Sequence, residues 1–165
     1  MNQVDLTVNC AVITVSDTRS IETDQSGQVI QELIKQSGHQ ITAYTILKDE
    51  PEQIINQVKI WCQNQDIDAI ILNGGTGIAP RDTTYDALAV ILEKTLPGFG
   101  ELFRWLSYQE IGSKAMASRA IAGIYQSKLI FSLPGSTKAV KLGMTKLILP
   151  ELTHLIGLLE TKIKT

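Results

Sequence analysis

The stretch AIILNGGTG, residues 69–77, joins a fully apolar run to three glycines within four positions. A short apolar run of this kind predicts a strand that is buried on both faces, as in a parallel sheet. A second such run, CAVITV at residues 10–15, leads in the same way into Ser16 and Asp17. Both runs therefore predict parallel strands that end in polar or glycine-rich loops.

The sequence between these two runs alternates between helical and extended patterns. Residues 24–37 have a helical apolar stripe that ends at Gly38, residues 39–47 return to a strand pattern, and a further helix opens at Pro51. The β-α-β-α-β order predicts right-handed crossovers and a mainly parallel sheet. The expected fold is an α/β three-layer sandwich with helices on both faces of the sheet.

The second half of the chain predicts four more helices and a hairpin. The helices are expected at residues 85–92, at 101–109, from Thr137 onward and at 149–159. Residues 119–125 and 128–133 predict two strands joined by a tight Gln126-Ser127 turn, which makes an antiparallel hairpin. There is no repeat or linker, so we expect one domain over residues 1–165.

The composition excludes some classes of partner. A net charge of −2, from 15 basic and 17 acidic residues, gives no general attraction to nucleic acid or to anionic membranes. Residues 1–8 lack the features of a signal peptide, and no apolar run approaches the length of about 18 residues that a membrane span needs. Cys10 and Cys62 match no disulfide or metal-site spacing. We therefore expect a cytoplasmic protein with two reduced thiols.

In an open parallel sheet, ligands bind beyond the carboxyl ends of the strands, where the glycine-rich loop is expected. Gly74, Gly75 and Gly77 let backbone N–H groups approach an anion, and Thr76 adds a hydroxyl donor. The loop is neither a Walker motif nor a dinucleotide fingerprint. It predicts a phosphate or pyrophosphate site, and a tight turn without a ligand is the alternative.

Charged side chains near this loop favour a nucleotide site. Arg81 offers a cation for phosphate, and Asp82 together with Asp49 offers two carboxylates for a Mg²⁺ that bridges nucleotide phosphates. Asp49 has a helix N-cap as its alternative role. Asp86 is either a third member of this set or a first-turn acid favoured by the helix dipole.

The turn Pro134-Gly135-Ser136 is a second candidate anion site, with Lys138 nearby, although a plain capping turn explains the same residues. Ser16 and Asp17 are candidates for substrate contact, and Ser107 is a weaker one. For His39 and His154, which lack triad or metal partners, a structural or surface role is expected. The aromatic residues Phe99, Phe103, Trp105 and Tyr108 predict core packing first and a subunit interface second.

Taken in order, the motifs resemble a known family. They are VITVSD (12–17), LKDE (47–50), NGGTGIAPRDTTYDA (73–87), LPGFGELFR (96–104), SRAIAG (118–123) and FSLPGSTKAV (131–140). The set is similar to the molybdenum-cofactor biosynthesis family that includes MogA, MoaB and the G domain of gephyrin. The run GFGELFRWLSYQEIG, followed by SRAIAG, looks most like the MoaB branch.

The resemblance implies a molybdopterin-binding domain that transfers AMP from Mg-ATP to the terminal phosphate of molybdopterin. Its catalytic, metal-binding aspartates would be Asp49 and Asp82, the 74–77 loop would bind a phosphate, and Ser107 would lie near the pterin. It also implies a homotrimer or homohexamer, with the helix around Phe103 and Trp105 as a contact. Other proteins of molybdenum cofactor biosynthesis are further expected partners.

Two departures from the adenylating relatives lie in ligand-facing loops. Thr84-Tyr85-Asp86 replaces a Thr-Pro-Glu or Thr-Pro-Asp, and the late loop is PGSTKA rather than PG-x-P. The family also includes MoaB-type members with altered acidic loops, for which molybdopterin binding without adenylation is expected. Because Asp49 and the Arg81-Asp82 pair are intact, the resemblance favours an active adenylyltransferase, with a non-catalytic carrier or scaffold as the alternative.

Overall fold

The computed structural model describes residues 6–160, which contain one six-stranded sheet. The strands are β1 (Asn9–Val15), β2 (Gln40–Leu47), β3 (Ala69–Asn73), β4 (Lys94–Thr95), β5 (Ile121–Tyr125) and β6 (Lys128–Leu133). The α-helices are α1 (Gln25–Gln36), α2 (Pro51–Cys62), α3 (Thr84–Ile91), α4 (Pro97–Ile111), α5 (Thr137–Gly143) and α6 (Leu149–Glu160). A 3₁₀ segment, Gly112–Ala117, follows α4.

The strand order is β2-β1-β3-β6-β5-β4. The pairs β2-β1, β1-β3 and β3-β6 are parallel, whereas β6-β5 and β5-β4 are antiparallel. The mainly parallel sheet and its antiparallel hairpin are confirmed. Gln126 and Ser127, both with positive φ, form the two-residue turn between β5 and β6.

Two apolar cores lie on opposite faces of the sheet, as a three-layer sandwich requires. One core contains Val12, Ile71 and Phe131 of the strands and is covered by α1, α4, α5 and α6, with Phe99 of α4 edge-on to Phe131 at 5.4 Å between ring centroids. The other contains Ile13 of β1 and is covered by α2 and α3. Alternate residues of each central strand therefore feed opposite cores.

Several boundaries differ from those that the sequence predicts. The helix expected at residues 101–109 begins at Pro97, which occupies a first-turn position where its missing N–H costs nothing. The two-residue β4 was not predicted. The helices expected from Thr137 and at 149–159 form one continuous run, because a π-turn at Met144–Ile148 widens the helix just before Pro150, whose missing N–H and ring disrupt ordinary α-helical bonding.

This continuous run corrects the expectation that nothing in the chain is long and apolar enough to span a membrane. Within residues 6–160, the helix Thr137–Glu160 meets that test by length and composition. A core helix meets it too, and Val140, Met144, Ile148 and Leu152 are fully buried against the sheet. The apolar stripe therefore has a packing partner inside the protein.

Both cysteines are free and buried, as expected for structural thiols. Burial raises the pKa of Cys10 to about 12 and that of Cys62 to about 11. Both thiols are consequently protonated near neutral pH and are poor nucleophiles.

Candidate active site

The loops that follow β1, β2, β3 and β6 meet at one edge of the sheet. The N–H of Ser16 donates to the carbonyl of Leu47 at 2.8 Å, and the N–H of Gly74 donates to the carbonyl of Leu133 at 2.9 Å. A Cβ placed on Gly135 would lie 3.2 Å from the Cα of Gly74. The structure thus brings the two predicted anion-binding turns into contact.

The glycines of the glycine loop, residues 74–77, lie too close to neighbouring atoms to carry a side chain. Gly74 has φ +99°, and a Cβ there would lie 2.2 Å from the carbonyl oxygen of Val15. At Gly75, with φ +70°, a Cβ would lie 2.3 Å from Thr84 Oγ1 and 2.7 Å from Asp49 Oδ2. These glycines are required both by the left-handed backbone and by the close approach of neighbouring oxygens.

Asp49 is buried beside this loop, at 7% exposure. Its Oδ1 accepts hydrogen bonds from the N–H of Thr83 at 3.1 Å and from the hydroxyl of Thr83 at 2.6 Å. The N-cap of α2 is Glu50, so the alternative role of Asp49 as a helix cap is wrong. The carboxylate instead crosses from the β2 loop to the residue that follows Asp82.

Asp82 is half-buried at the far end of the glycine loop. Its Oδ2 accepts from the N–H of Ala79 at 3.0 Å and lies 2.6 Å from the position that a Cβ on Gly77 would take. Within the described residues, Asp49 Oδ2 and Asp82 Oδ1 accept no hydrogen bond. Each aspartate therefore keeps one oxygen available to a ligand.

Arg81 was expected to supply a cation for phosphate, but its guanidinium already pairs with two carboxylates. It donates to both oxygens of Asp17, at 2.9 and 3.0 Å, and to Glu50 at 2.9 Å. These bonds raise the pKa of Arg81 and, together with the N–H of Asp49, hold the pKa of Asp17 below its ordinary value. Arg81 thus joins the loops after β1, β2 and β3 in an exposed ion-pair network.

Arg119 is a site residue that sequence reasoning missed. Its guanidinium donates to the carbonyl of Gly77 at 2.7 and 3.0 Å, and to that of Asp82 at 3.3 Å. It also forms a two-pronged pair with Asp86, at 3.0 and 3.1 Å, and lies 4.9 Å from the ring centre of Tyr85. Arg119 lies in the SRAIAG motif, which was the one available signal.

The same contacts define the position of Asp86. Its side chain is exposed and engaged by Arg119, at the start of α3. The predicted third member of the acidic set therefore orients an arginine. A direct ligand role for Asp86 stays a prediction.

At the second turn, Ser136 is the N-cap of α5 and accepts from the N–H of Ala139 at 3.1 Å. The carbonyl of Gly135 accepts from Ser26 Oγ at 2.6 Å and from Arg19 Nη2 at 3.0 Å. Lys138, in the first turn of α5, is exposed. Ser136 is thus shown to cap α5. The anion-binding role of the Pro134-Gly135-Ser136 turn stays a prediction.

The remaining candidates lie at different depths. Ser16 Oγ accepts from the N–H groups of Thr18 and Arg19, at 3.3 and 3.1 Å, and lines an open cleft of about 430 Å³ between the β1 loop and β2. Ser107 is buried in α4, at 6% exposure. The ligand-binding roles of Ser16 and Ser107 stay predictions.

Four buried polar side-chain atoms at or next to this edge have no hydrogen-bond partner among the described residues. They are Thr84 Oγ1, which faces Gly75, Asn73 Oδ1 at the end of β3, Ser132 Oγ in β6 and Ser118 Oγ in the segment before β5. Proteins pair nearly all such atoms, so each exception calls for an explanation, such as a catalytic role or a bound ion. The carboxylate oxygens left open on Asp49 and Asp82 complete an oxygen-rich set.

This set suits Mg²⁺ bound together with a ligand better than Mg²⁺ held by the protein alone. Within residues 6–160, no group of three or more His, Cys, Asp or Glu side chains is arranged to hold a metal ion. Mg²⁺ commonly takes one or two carboxylates and completes its shell with substrate phosphates and water. Asp49 and Asp82 match that requirement.

Comparison with known proteins gives a consistent result. The family model described as "Probable molybdopterin binding domain" matches residues 11–154. The molybdenum cofactor biosynthesis protein B of Halalkalibacterium halodurans is 58% identical over 151 residues, which are 91% of this chain and 89% of that protein.

Solved structures agree. A crystal structure of a molybdenum cofactor biosynthesis protein B superposes with a TM-score of 0.94 at 50% identity, covering 96% of this chain and 99% of that one. The tungsten cofactor synthesizing protein MoaB from Pyrococcus furiosus gives a TM-score of 0.82 at 34% identity, covering 92% and 96%.

Proposed function

Because this chain belongs to the MoaB and MogA family of molybdenum cofactor biosynthesis proteins, we propose that it binds molybdopterin and adenylates its terminal phosphate with Mg-ATP. An oxygen of the terminal phosphate attacks the α-phosphorus of ATP, and a new P–O bond forms. The bond from the α-phosphorus to the bridging oxygen breaks, and pyrophosphate leaves. No covalent enzyme intermediate is needed.

The proposal rests on one observation. The two turns predicted to bind anions, the glycine loop and the Pro134-Gly135-Ser136 turn, are in contact beside two carboxylates. Gly74 and Gly135 bring the turns together, and the open oxygens of Asp49 and Asp82 lie at the glycine loop. A transfer between two phosphate groups requires two anion sites within bonding reach of each other. A single-ligand site would need one such turn.

Each part of the site has a role in this reaction. Asp49 and Asp82 would hold Mg²⁺, which neutralises phosphate charge that would otherwise repel the attacking phosphate. The N–H groups of residues 75–77 would bind the ATP phosphates, because that of Gly74 already donates to Leu133. Ser136 with Lys138 would bind the terminal phosphate of the pterin substrate. Ser16 and Ser107 are the proposed contacts for the rest of molybdopterin.

The test is AMP transfer from Mg-ATP to molybdopterin by the wild-type protein and by Asp49→Ala and Asp82→Ala. Each variant should lose at least about 1,000-fold in rate, because removing a carboxylate leaves phosphate charge uncompensated at the moment of transfer. Molybdopterin affinity, measured by calorimetry without ATP, should stay close to that of the wild type.

Asp66→Ala is the matched control, because Asp66 is exposed in the turn before β3, at the opposite edge of the sheet. It should leave both the rate and the affinity unchanged. If the wild-type protein binds molybdopterin but turns over no ATP, adenylation is excluded and the carrier role replaces it. The engagement of Arg81 by Asp17 and Glu50 is the observation that favours this second role, since it leaves that cation already neutralised.

Self-association forms part of the same proposal. Leu102, Trp105, Tyr108, Ile111 and Met116 are large apolar side chains exposed along α4 and the 3₁₀ segment, at 49–82%. Phe103 is 1% exposed in the core and cannot form the contact. A trimer or hexamer that covers this face should be seen by sedimentation, and Trp105→Glu should shift it towards monomer.

A further inference from the structure

Asp24 is a buried carboxylate that has no direct role in the proposed reaction. Among the charged side chains of the described residues, only Asp24 and Asp49 are buried, and Asp24 is wholly inaccessible. Its Oδ2 accepts from Thr14 Oγ1 at 2.6 Å and from the hydroxyl of Tyr44, and its Oδ1 accepts from the N–H of Gly27 at 3.0 Å. Burial of a carboxylate is tolerated when such bonds satisfy it.

Helix capping does not account for this carboxylate. Asp24 is the N-cap of α1, but that bond uses Oδ1 alone, and a serine or asparagine would cap equally well. The second oxygen takes two hydroxyl donors, and Arg19 Nη1 lies 3.6 Å from Oδ1. The negative charge therefore organises groups beyond the helix end.

One branch from Asp24 leads to the Pro134-Gly135-Ser136 turn. Arg19, held beside Asp24 by the ion pair, donates through Nη2 to the carbonyl of Gly135 at 3.0 Å. Ser26, two residues after Asp24, donates to the same carbonyl at 2.6 Å. The position of this turn is thus fixed from the β1-α1 segment.

The other branch leads to the glycine loop. Thr14 donates its hydroxyl proton to Asp24, so its oxygen accepts from Asn73 Nδ2 at 2.9 Å. Asn73 immediately precedes Gly74, and Gly74 packs against Gly135. Three side-chain hydrogen bonds and the Arg19–Asp24 ion pair therefore connect the two turns through one carboxylate.

We propose that Asp24 is a positioning residue that sets the glycine loop and the Pro134-Gly135-Ser136 turn in register with each other. The proposal rests on the proposed function, in which each turn holds one of the two reacting phosphates. A small change in their relative position leaves each phosphate bound but takes the attacking oxygen out of line with the α-phosphorus. Such a fault lowers the rate of transfer more than it lowers binding.

The first test is Asp24→Asn, which keeps an oxygen to cap α1 but removes the charge that holds Arg19. The kcat for AMP transfer should fall about 10- to 100-fold, while KM for ATP stays within about threefold of the wild-type value. Arg19→Gln should give the same pattern and leaves the α1 cap intact. Glu151→Gln, which removes an exposed pair with His154 on α6, is the control and should change neither constant.

Amide hydrogen exchange supplies a readout that does not depend on turnover. In both Asp24→Asn and Arg19→Gln, segments 73–77 and 134–137 should exchange at least about tenfold faster, with β1 unchanged. If the wild-type protein transfers no AMP, the proposed function fails and exchange alone decides this proposal. If Asp24→Asn does not fold, Arg19→Gln decides it.

Two outcomes would overturn the proposal. One is wild-type kcat and wild-type exchange in Arg19→Gln or in a folded Asp24→Asn. The other is faster exchange spread evenly over the whole chain, which would mark Asp24 as a residue for stability alone.

Discussion

Polar side chains have different roles at the two edges of the parallel sheet. At the amino edge, His39 Nδ1 accepts from the N–H of Val8 at 3.2 Å, and Asp68 Oδ2 accepts from the N–H of Asn9 at 2.8 Å. Both groups satisfy backbone donors where strands begin. Among the described residues, none of the buried side-chain atoms that lack a hydrogen-bond partner lies beside them.

The carboxyl edge is organised differently. Asp49 and Asp82 each use one oxygen to hold a loop and keep the other open, and Thr84 Oγ1 is buried without a partner. Such arrangements cost stability and are retained where a ligand completes them. Within residues 6–160, Asp68 also keeps one oxygen open, so an open carboxylate oxygen alone does not mark a functional aspartate. The carboxyl edge differs because its aspartates lie beside a glycine loop and buried oxygens that have no partner among the described residues.

The strongest test of this contrast is Gly75→Ala at the carboxyl edge. An alanine Cβ would have to share space with Thr84 Oγ1 and Asp49 Oδ2, at 2.3 and 2.7 Å, on a backbone with φ +70°. We expect AMP transfer below about 1% of wild type and a loss of about 1–3 kcal/mol in the free energy of unfolding. The control is Gly98→Ala, whose Cβ meets nothing within 4 Å, and it should be folded and active. A fully active Gly75→Ala would contradict a catalytic role for the carboxyl edge.

Arg119→Lys tests whether the carboxyl edge needs the planar guanidinium of arginine, with its several donors, or only a positive charge. Lysine keeps the charge but cannot reach the Gly77 and Asp82 carbonyls and Asp86 together, so kcat should fall about 10- to 100-fold. Steady-state kinetics of Asp86→Asn separates the roles. A loss much larger than that of Arg119→Lys would show that Asp86 does more than orient Arg119 and would support a ligand-binding role.

At the amino edge, Asp68→Ala should affect stability alone. Removing the acceptor leaves the N–H of Asn9 without its partner, which should lower the free energy of unfolding by about 1–2 kcal/mol with kcat unchanged. Denaturant unfolding measures this effect, with exposed Asp66→Ala as the matched control. A loss of AMP transfer in folded Asp68→Ala would show that the two edges are not independent.

The smallest expected effect is the pH dependence contributed by His39. Burial lowers the pKa of His39 below its ordinary 6.5, and its Nδ1 must stay unprotonated to accept from Val8. The unfolded chain therefore binds the proton at a higher pH than the folded chain, so stability is lost as pH falls through about 6.5. Denaturant unfolding at about pH 7.5 and about pH 5.5 should show a smaller loss for His39→Gln than for wild type; equal losses would remove this role.

Most of the fold follows from local patterns in the sequence. Fully apolar runs such as residues 69–72 and the alternation with helical stripes predict the parallel layers, and the Gln126-Ser127 turn predicts the hairpin. The continuous helix across Pro150 was missed because a proline normally marks a helix start or break, and the π-turn that admits it has no sequence signature. Strand β4 is two residues long, which is too short for an alternation of apolar and polar residues to be recognised.

The site was predictable only in part, for a related reason. Glycines and aspartates that follow strands can be located from sequence, since the carboxyl ends of parallel strands share an edge. Arg119 reaches that edge from the segment before β5, across more than thirty residues of chain, and Arg81 is engaged by carboxylates from two other loops. Such pairings depend on tertiary distance, which spacing along the chain does not encode.

The position of β6 in the sheet determines when the sheet can be completed during synthesis. β6 lies between β3 and β5, so it is the strand that joins the β2-β1-β3 half to the β5-β4 half. A chain that ends at Tyr125 has five strands but lacks the strand that pairs with both β3 and β5. Pro134 and Gly135 follow β6 directly, so the second turn forms only when the sheet closes, and ligand binding at this edge would report that the whole domain has folded.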